Sequence, residues 1–216
     1  MLDPDKSLEL AEQVARAAEN LGIKTALIGA SALAVHGYTR GTEVIDFAAA
    51  VPPDRLQQLL SAMRAAGLRA DLRLPDDEDP LGGVLVVWAS VDENGDPTDV
   101  VEVVNFYNPL HPVANPGSQA IARAVDLEAL HLRCVALADL VALKLYAGGG
   151  GDLNDVVQLL AHNPDTDLDK LRSIAQPFDK ANALDALMEE AFKLRQGPRV
   201  GGSVVTRSRE RGCRRA

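Results

Sequence analysis

The sequence predicts an α/β chain of the α+β kind, a mixed sheet with flanking helices followed by a C-terminal helical bundle. Three observations carry this. Short apolar runs alternate with helix-period segments up to residue 106. From Ala136 onward the pattern is helical alone. Asn94-Gly95 lies between two apolar runs, so part of the sheet is an antiparallel hairpin. Strands with helices first and helices alone afterwards suit a compact α/β domain over 1–135. A helical part over 136–196 packs on it, and 197–216 form a basic tail.

The elements follow in order. Asp3-Pro4 starts a helix, with Asp as N-cap and Pro at the first helical position. Leu10, Val14, Ala18 and Leu21 keep helical spacing, and Gly22 closes the helix. A strand follows over 24–28, a short helix over 31–35 and a second strand over 44–51. Pro52-Pro53-Asp54 breaks that strand. Leu56, Leu59, Leu60 and Met63 mark a third helix ending at Gly67. A short strand at 68–72 and an acidic loop at 75–83 lead to the hairpin strands 84–91 and 100–106. Helices are expected at 137–147, 152–162, 167–176 and 179–195. Thr166 and Asp169 resemble a capping box, and Asn163-Pro164 separates two of the helices.

The 216 residues suffice for one sizeable core. The net charge of −9 argues against a broad nucleic-acid-binding surface. Residues 197–216 hold six Arg and one Glu, which is +5, so residues 1–196 carry −14. The tail opens on Gly197-Pro198 and reads as disordered, either solvated or an arm for RNA or a partner. Cys134 and Cys213 suggest neither a disulfide framework nor a zinc site. The start lacks the pattern of a signal peptide, and no apolar run approaches membrane-spanning length. A cytoplasmic protein with no membrane contact is the expectation.

The chemistry concentrates between Leu27 and Phe47. Gly29, Ala30 and Ser31 follow an apolar run and leave room for a ligand to approach the backbone. The next helix points its N-terminus there, an end that suits phosphate. Asp46 sits between Ile45 and Phe47, where a carboxylate is costly unless a cation or a donor meets it. Strand side chains alternate, so residues 44 and 46 share a face and Glu43 points away.

Gly29-Ala30-Ser31 and Val44-Ile45-Asp46 resemble the first motif of the nucleotidyltransferase superfamily, in the branch with AbiEii-type toxins and minimal nucleotidyltransferases. That motif has Gly-Gly or Gly-Ser, a short helix, and Asp-x-Asp on the next strand. Here Ala30 replaces a Gly and Val44 replaces the first Asp. The resemblance extends to about residue 165. It implies a nucleotidyltransferase-like fold, an NTP as substrate, and Mg²⁺ or Mn²⁺ as cofactor. It also implies an RNA, protein or small-molecule acceptor, and a toxin–antitoxin setting with a cognate antitoxin. The rival is a catalytically inactive member that keeps nucleotide or partner binding, in line with Val44, Ala30 and Gly151.

Further residues take roles from the resemblance. Val101-Glu102-Val103 fits the pattern of a third carboxylate between apolar neighbours, so Glu102 joins Asp46 as a metal ligand. Its plainer reading is a solvated edge-strand acid, and Asp99 is its rival. Lys144 is one of two charged residues between Val135 and Ala147. In an otherwise apolar helix it either reaches an anion or snorkels. Leu140-Val-Ala-Leu-Lys-Leu-Tyr-Ala147 resembles the family segment whose Lys contacts phosphate. Asp152-Leu-Asn-Asp155 resembles the motif after it. Asp155 then supports the lysine or acts as a base, and Asp152 reads as a helix N-cap. An Arg that often precedes this motif is replaced within Gly148–Gly151. Arg40 is a phosphate contact or a surface Arg, and His36 a helix-end residue. Asn105-Phe-Tyr-Asn-Pro109 offers groups for a base or ribose.

Overall fold

A computed structural model describes residues 4–196. Asp3 and the tail 197–216 with Cys213 lie outside the described residues. The elements are α1 (Pro4–Asn20), β1 (Ala26–Leu27), α2 (Gly29–Val35), β2 (Val44–Ala49), α3 (Pro53–Ala65), β3 (Arg69–Arg73) and β4 (Val84–Val91). They continue with β5 (Pro97–Asn105), α4 (Gly117–Ala122), β6 (Val125–Leu127), β7 (Leu132–Cys134), α5 (Leu137–Ala147), α6 (Gly150–His162), α7 (Leu168–Ala175) and α8 (Leu184–Gln196).

The strands form one mixed sheet in the order β3-β4-β5-β2-β1-β7-β6. β4 runs antiparallel to β3 and β5, and β5 runs parallel to β2. β1 is antiparallel to β2 and parallel to β7. The two faces differ in cover, as alternation along β5 records. Val101, Val103 and Asn105 are buried, while Val100, Glu102 and Val104 are half-buried. α1 and α3 cover the first face. Leu10, Val14 and Ala18 of α1 and Leu56, Leu59 and Met63 of α3 meet Phe47, Leu85 and Val87 in one core. Each such large side chain contributes about 1.5–3 kcal/mol by leaving water. The second face carries Val44 and Asp46 of β2 beside Val100 and Glu102 of β5.

The C-terminal helices pack on one another and on the sheet domain, α5 against α6 and α7, α6 against α8 and α4 against α5. Some boundaries differ from the expected ones, for local reasons. α8 begins at Leu184, not 179, because the Asp179 carboxylate accepts from the N–H groups of Ala183 and Leu184 and holds a turn. α7 is capped by Asp167, whose side chain accepts from Lys170 N. Thr166 instead donates its hydroxyl to Asn163 O at 2.8 Å. α4, β6 and β7 have no counterpart in the sequence reading.

Candidate functional site

Asp46 and Glu102 are register partners on the parallel strands β2 and β5, so their carboxyls stand side by side on the half-open face. β1 ends beside them. Ile28 N donates to Asp46 O at 2.9 Å, which fixes the start of α2 against the acid. Gly29 is required there twice. Its φ is +59°, and an added Cβ would fall 2.1 Å from Asp46 Oδ2. The Gly29-Ala30-Ser31 segment is therefore the first turn of α2 rather than an open loop. Ala30 is buried and Ser31 half-buried.

Two cations approach this pair. Burial first, and the Glu102 charge second, push the Asp46 carboxyl from its ordinary 3.8 up to about 6, while Lys144 and Arg40 act the other way. Lys144 projects from the buried helix α5 and is itself buried. Its Nζ lies 2.7 Å from Asp152 Oδ1 and 2.8 Å from Asp155 Oδ2. Arg40 Nε lies 3.3 Å from Asp155 Oδ1. The Asp152 contact is a hydrogen bond. Asp155 Oδ2 accepts no hydrogen bond of good geometry despite its short distance to Lys144, so charge rather than direction holds that contact.

Asp152 corrects the sequence reading. Gly149 is the N-cap of α6, and no side chain caps it. Asp152 spends its carboxylate on Lys144 instead, across a connection that opens with Gly148 in the left-handed conformation (φ +68°). The chain Arg40–Asp155–Lys144–Asp152 thus joins the predicted residues Arg40, Lys144 and Asp155 to one that was read as a cap. Across the six groups, four acids face two bases, a surplus of two negative charges.

Gly29, Lys144 and Asp152 also line a cavity of about 330 Å³. Its walls are mainly apolar, from Ile28, Leu81, Val104, Phe106, Leu140 and Leu143. A larger concavity of about 650 Å³ lies between α1 and β6–β7, but none of the predicted site residues lines it. Size is the weaker criterion here, because convergent polar groups mark ligand sites better.

Other candidates stand apart. Asp99 is buried on the opposite face, where Ser7 and Ser90 donate to it at 3.0 and 3.2 Å. It does not compete with Glu102. His36 ends α2 with Nε2 2.8 Å from Val135 O. Of the segment 105–109, Phe106 lines the cavity, while the two Asn side chains are engaged within the protein. Asn105 is fully buried and donates to Val51 O, Gly82 O and Tyr107 O. Asn108 donates to Asp76 O, Asp79 O and Leu81 O. These amides knit the acidic loop to the strand ends, with their N–H donors spent on backbone carbonyls. Asp139, the other charge of α5, is neutralised by Arg123, which forks onto both its oxygens.

Among the described residues no group of three or more His, Cys, Asp or Glu side chains could hold a metal. Two carboxylates remain, Asp46 and Glu102, with a charge surplus beside them. Mg²⁺ is commonly held by one or two carboxylates plus water and substrate phosphates, and this pair fits that minimum. Val44 faces the same side as Asp46 and offers the ion no oxygen.

No family model and no curated protein matches the chain. Solved structures do. An antigenic nucleotidyltransferase-like protein from Paracoccidioides brasiliensis is 14% identical with a TM-score of 0.50, the match covering 88% of this chain and 94% of that one. ANT(2")-Ia, solved in complex with adenylyl-2"-tobramycin, is also 14% identical at a TM-score of 0.50, covering 81% of this chain and 97% of that one. At such identities the likeness is one of fold, and this chain has a nucleotidyltransferase-like fold.

Proposed function

We propose that the chain is a metal-dependent nucleotidyltransferase, moving a nucleotidyl group from an NTP to a hydroxyl of an RNA, protein or small-molecule acceptor. The observation that carries this reading is the in-register pair Asp46–Glu102 beside Gly29, with Lys144 and Arg40 close by. The acceptor oxygen would bond to the α-phosphorus, the bridging bond to the β-phosphate would break, and pyrophosphate would leave. Asp46 and Glu102 would hold Mg²⁺ or Mn²⁺. When bound, the ion supplies charge neutralisation on the phosphates and alignment of the reacting oxygens. Gly29 lets phosphate approach the backbone, and Lys144 and Arg40 meet its oxygens. Asp155 would hold both cations in place, one on each carboxylate oxygen.

A second reading has its own support. With Val44 in place the site offers two carboxylates, and Lys144 is already engaged by Asp152 and Asp155. A protein that binds a nucleotide or a partner without turnover would look the same. An AbiEii-like toxin role and a cognate antitoxin extend the first reading and rest on the sequence resemblance, and a cytoplasmic setting is proposed alongside them. Among the described residues no helix is long and apolar enough to cross a membrane.

One experiment separates the readings. Calorimetric titration of Mg²⁺-NTP is run on wild type and Val44→Asp, with product analysis on both. A weakened enzyme binds, and Val44→Asp binds about tenfold tighter and turns over faster, since a third carboxylate on the same face grips the ion. Binding with no turnover in either protein leaves the binding reading standing. No NTP binding in either overturns the enzyme reading and the nucleotide-binding reading, and leaves partner binding alone.

A further inference from the structure

Lys144 and Asp152 both line the cavity beside α5, and they are closed on each other. The 2.7 Å contact from Lys144 Nζ to Asp152 Oδ1 is a hydrogen-bonded ion pair that spans the connection between α5 and α6. The two acids on Lys144 differ in access. The Asp155 side chain is 3% exposed and is also held by Arg40 on its other oxygen. The Asp152 side chain is 27% exposed. Asp152 is therefore the partner that can leave.

The local chain suits such an exchange. Asp152 is the third residue of α6, and no side chain caps that helix. A carboxylate at the third position can reach back to the free N–H groups of its own first turn. Asp152 thus has a second set of donors to turn to when it releases Lys144. Gly149 gives the closed pair its room. An added Cβ there would fall 2.9 Å from Asp152 Oδ2, while its φ of −68° is open to any residue. At Gly150 and Gly151 an added Cβ meets nothing within 4 Å. Of these three glycines, Gly149 is the one that the ion pair requires.

A phosphate that approaches Lys144 meets the Asp152 carboxylate first, a like charge on the same cation. We infer that Asp152 is a latch on the phosphate-binding lysine. It occupies Lys144 in the empty site, and an incoming nucleotide phosphate takes Lys144 as Asp152 turns to the first turn of α6. Apparent affinity is then reduced by the fraction of chains in which the latch is open. This rests on the nucleotide reading above and adds how that site is held closed.

The test is calorimetric titration of ATP, GTP, CTP and UTP, each with Mg²⁺, on wild type, Asp152→Asn, Gly149→Ala and Gly150→Ala. Circular dichroism checks that the helices persist. Asp152→Asn keeps the size of the side chain and removes its charge. Gly149→Ala keeps every charge and presses on Asp152 Oδ2. Both should bind the best-bound NTP roughly three- to tenfold tighter than wild type, because each opens the latch. Gly150→Ala should bind as wild type does. A merely structural role for Asp152 would weaken binding in both variants. Equal or weaker binding by Gly149→Ala overturns the latch whatever Asp152→Asn does, since loss of a negative charge by itself favours a polyanion. Equal or weaker binding by Asp152→Asn overturns it as well, and so does a gain in Gly150→Ala that equals the gain in Gly149→Ala. In each of these cases the nucleotide reading stands. No NTP binding in any of the four proteins overturns the nucleotide reading and the inference with it.

Discussion

Asp46→Asn should stabilise the metal-free protein near neutral pH and lose that advantage in acid. The carboxyl titrates near 3.8 in an unfolded chain and near 6 in the folded one. Between these values the folded chain binds more protons, so the acid's contribution to stability falls as pH rises through that window. Below about pH 4 it costs nothing, and above about pH 6 the full cost is present. At about 1.36 kcal/mol for each tenfold change in proton affinity, the upper limit is about 3 kcal/mol. Asp46 is half-buried, and screening by solvent lowers this to about 1–2 kcal/mol. For a chain of this size the thermal midpoint of Asp46→Asn should exceed wild type by about 2–8 °C at about pH 8 in EDTA. Near pH 4 the two curves should coincide. Mg²⁺ should raise wild type at about pH 8 and leave the mutant unmoved. A mutant that is less stable than wild type at about pH 8 would refute the reasoning. Lys144 and Arg40 would then already satisfy Asp46, and Glu102 would impose no strain on it.

Two further substitutions probe how the site is built. Gly29→Ala should cost about 2–3 kcal/mol, from the left-handed φ and from the collision with the Asp46 carboxylate. Combining it with Asp46→Ala should remove the steric part and leave about 1–2 kcal/mol, as read in urea melts. A neutral Gly29→Ala would contradict the contact. Asn105→Ala should cost about 2–4 kcal/mol, because it orphans buried carbonyls of Val51 and Gly82 and the N–H of Val51. Calorimetric unfolding reads this directly, and a change under about 0.5 kcal/mol would argue against the amide knot.

What the sequence could and could not reveal follows from the range of the forces involved. Asp46 and Glu102 stood out because each is a charge between apolar neighbours on a strand, a conflict visible in three residues. The period of α1 and α3 was legible because burial of one face repeats along the chain, while α5 showed as an apolar run buried nearly all round. β6 and β7 were not legible. Each has three residues, and Val125, Asp126 and Arg133 place mixed polarity where period-2 alternation needs length to emerge. Asp152 was misread for a different reason. Capping preferences are local, and its partner Lys144 lies on the preceding helix beyond a glycine-rich connection. Asn105 and Asn108 look like ligand groups in sequence because a buried amide and an exposed one are written alike. Only the fold shows that their donors are spent on carbonyls from a distant loop.

The parallel pairing of β2 with β5 also orders events during folding. β3, β4 and β5 form an antiparallel meander from neighbouring segments, and β2 is not needed to complete it. β2 meets β5 only after α3 and the whole meander have been laid down between them. Closing so long a loop delays this step. Pairing β2 with β5 sets Asp46 against Glu102, and the same pairing buries Phe47, Val101 and Val103 on the other face, which offsets that repulsion. A nascent chain that ends before β5 carries Asp46 without Glu102, so the proposed carboxylate pair arrives together with the closed sheet.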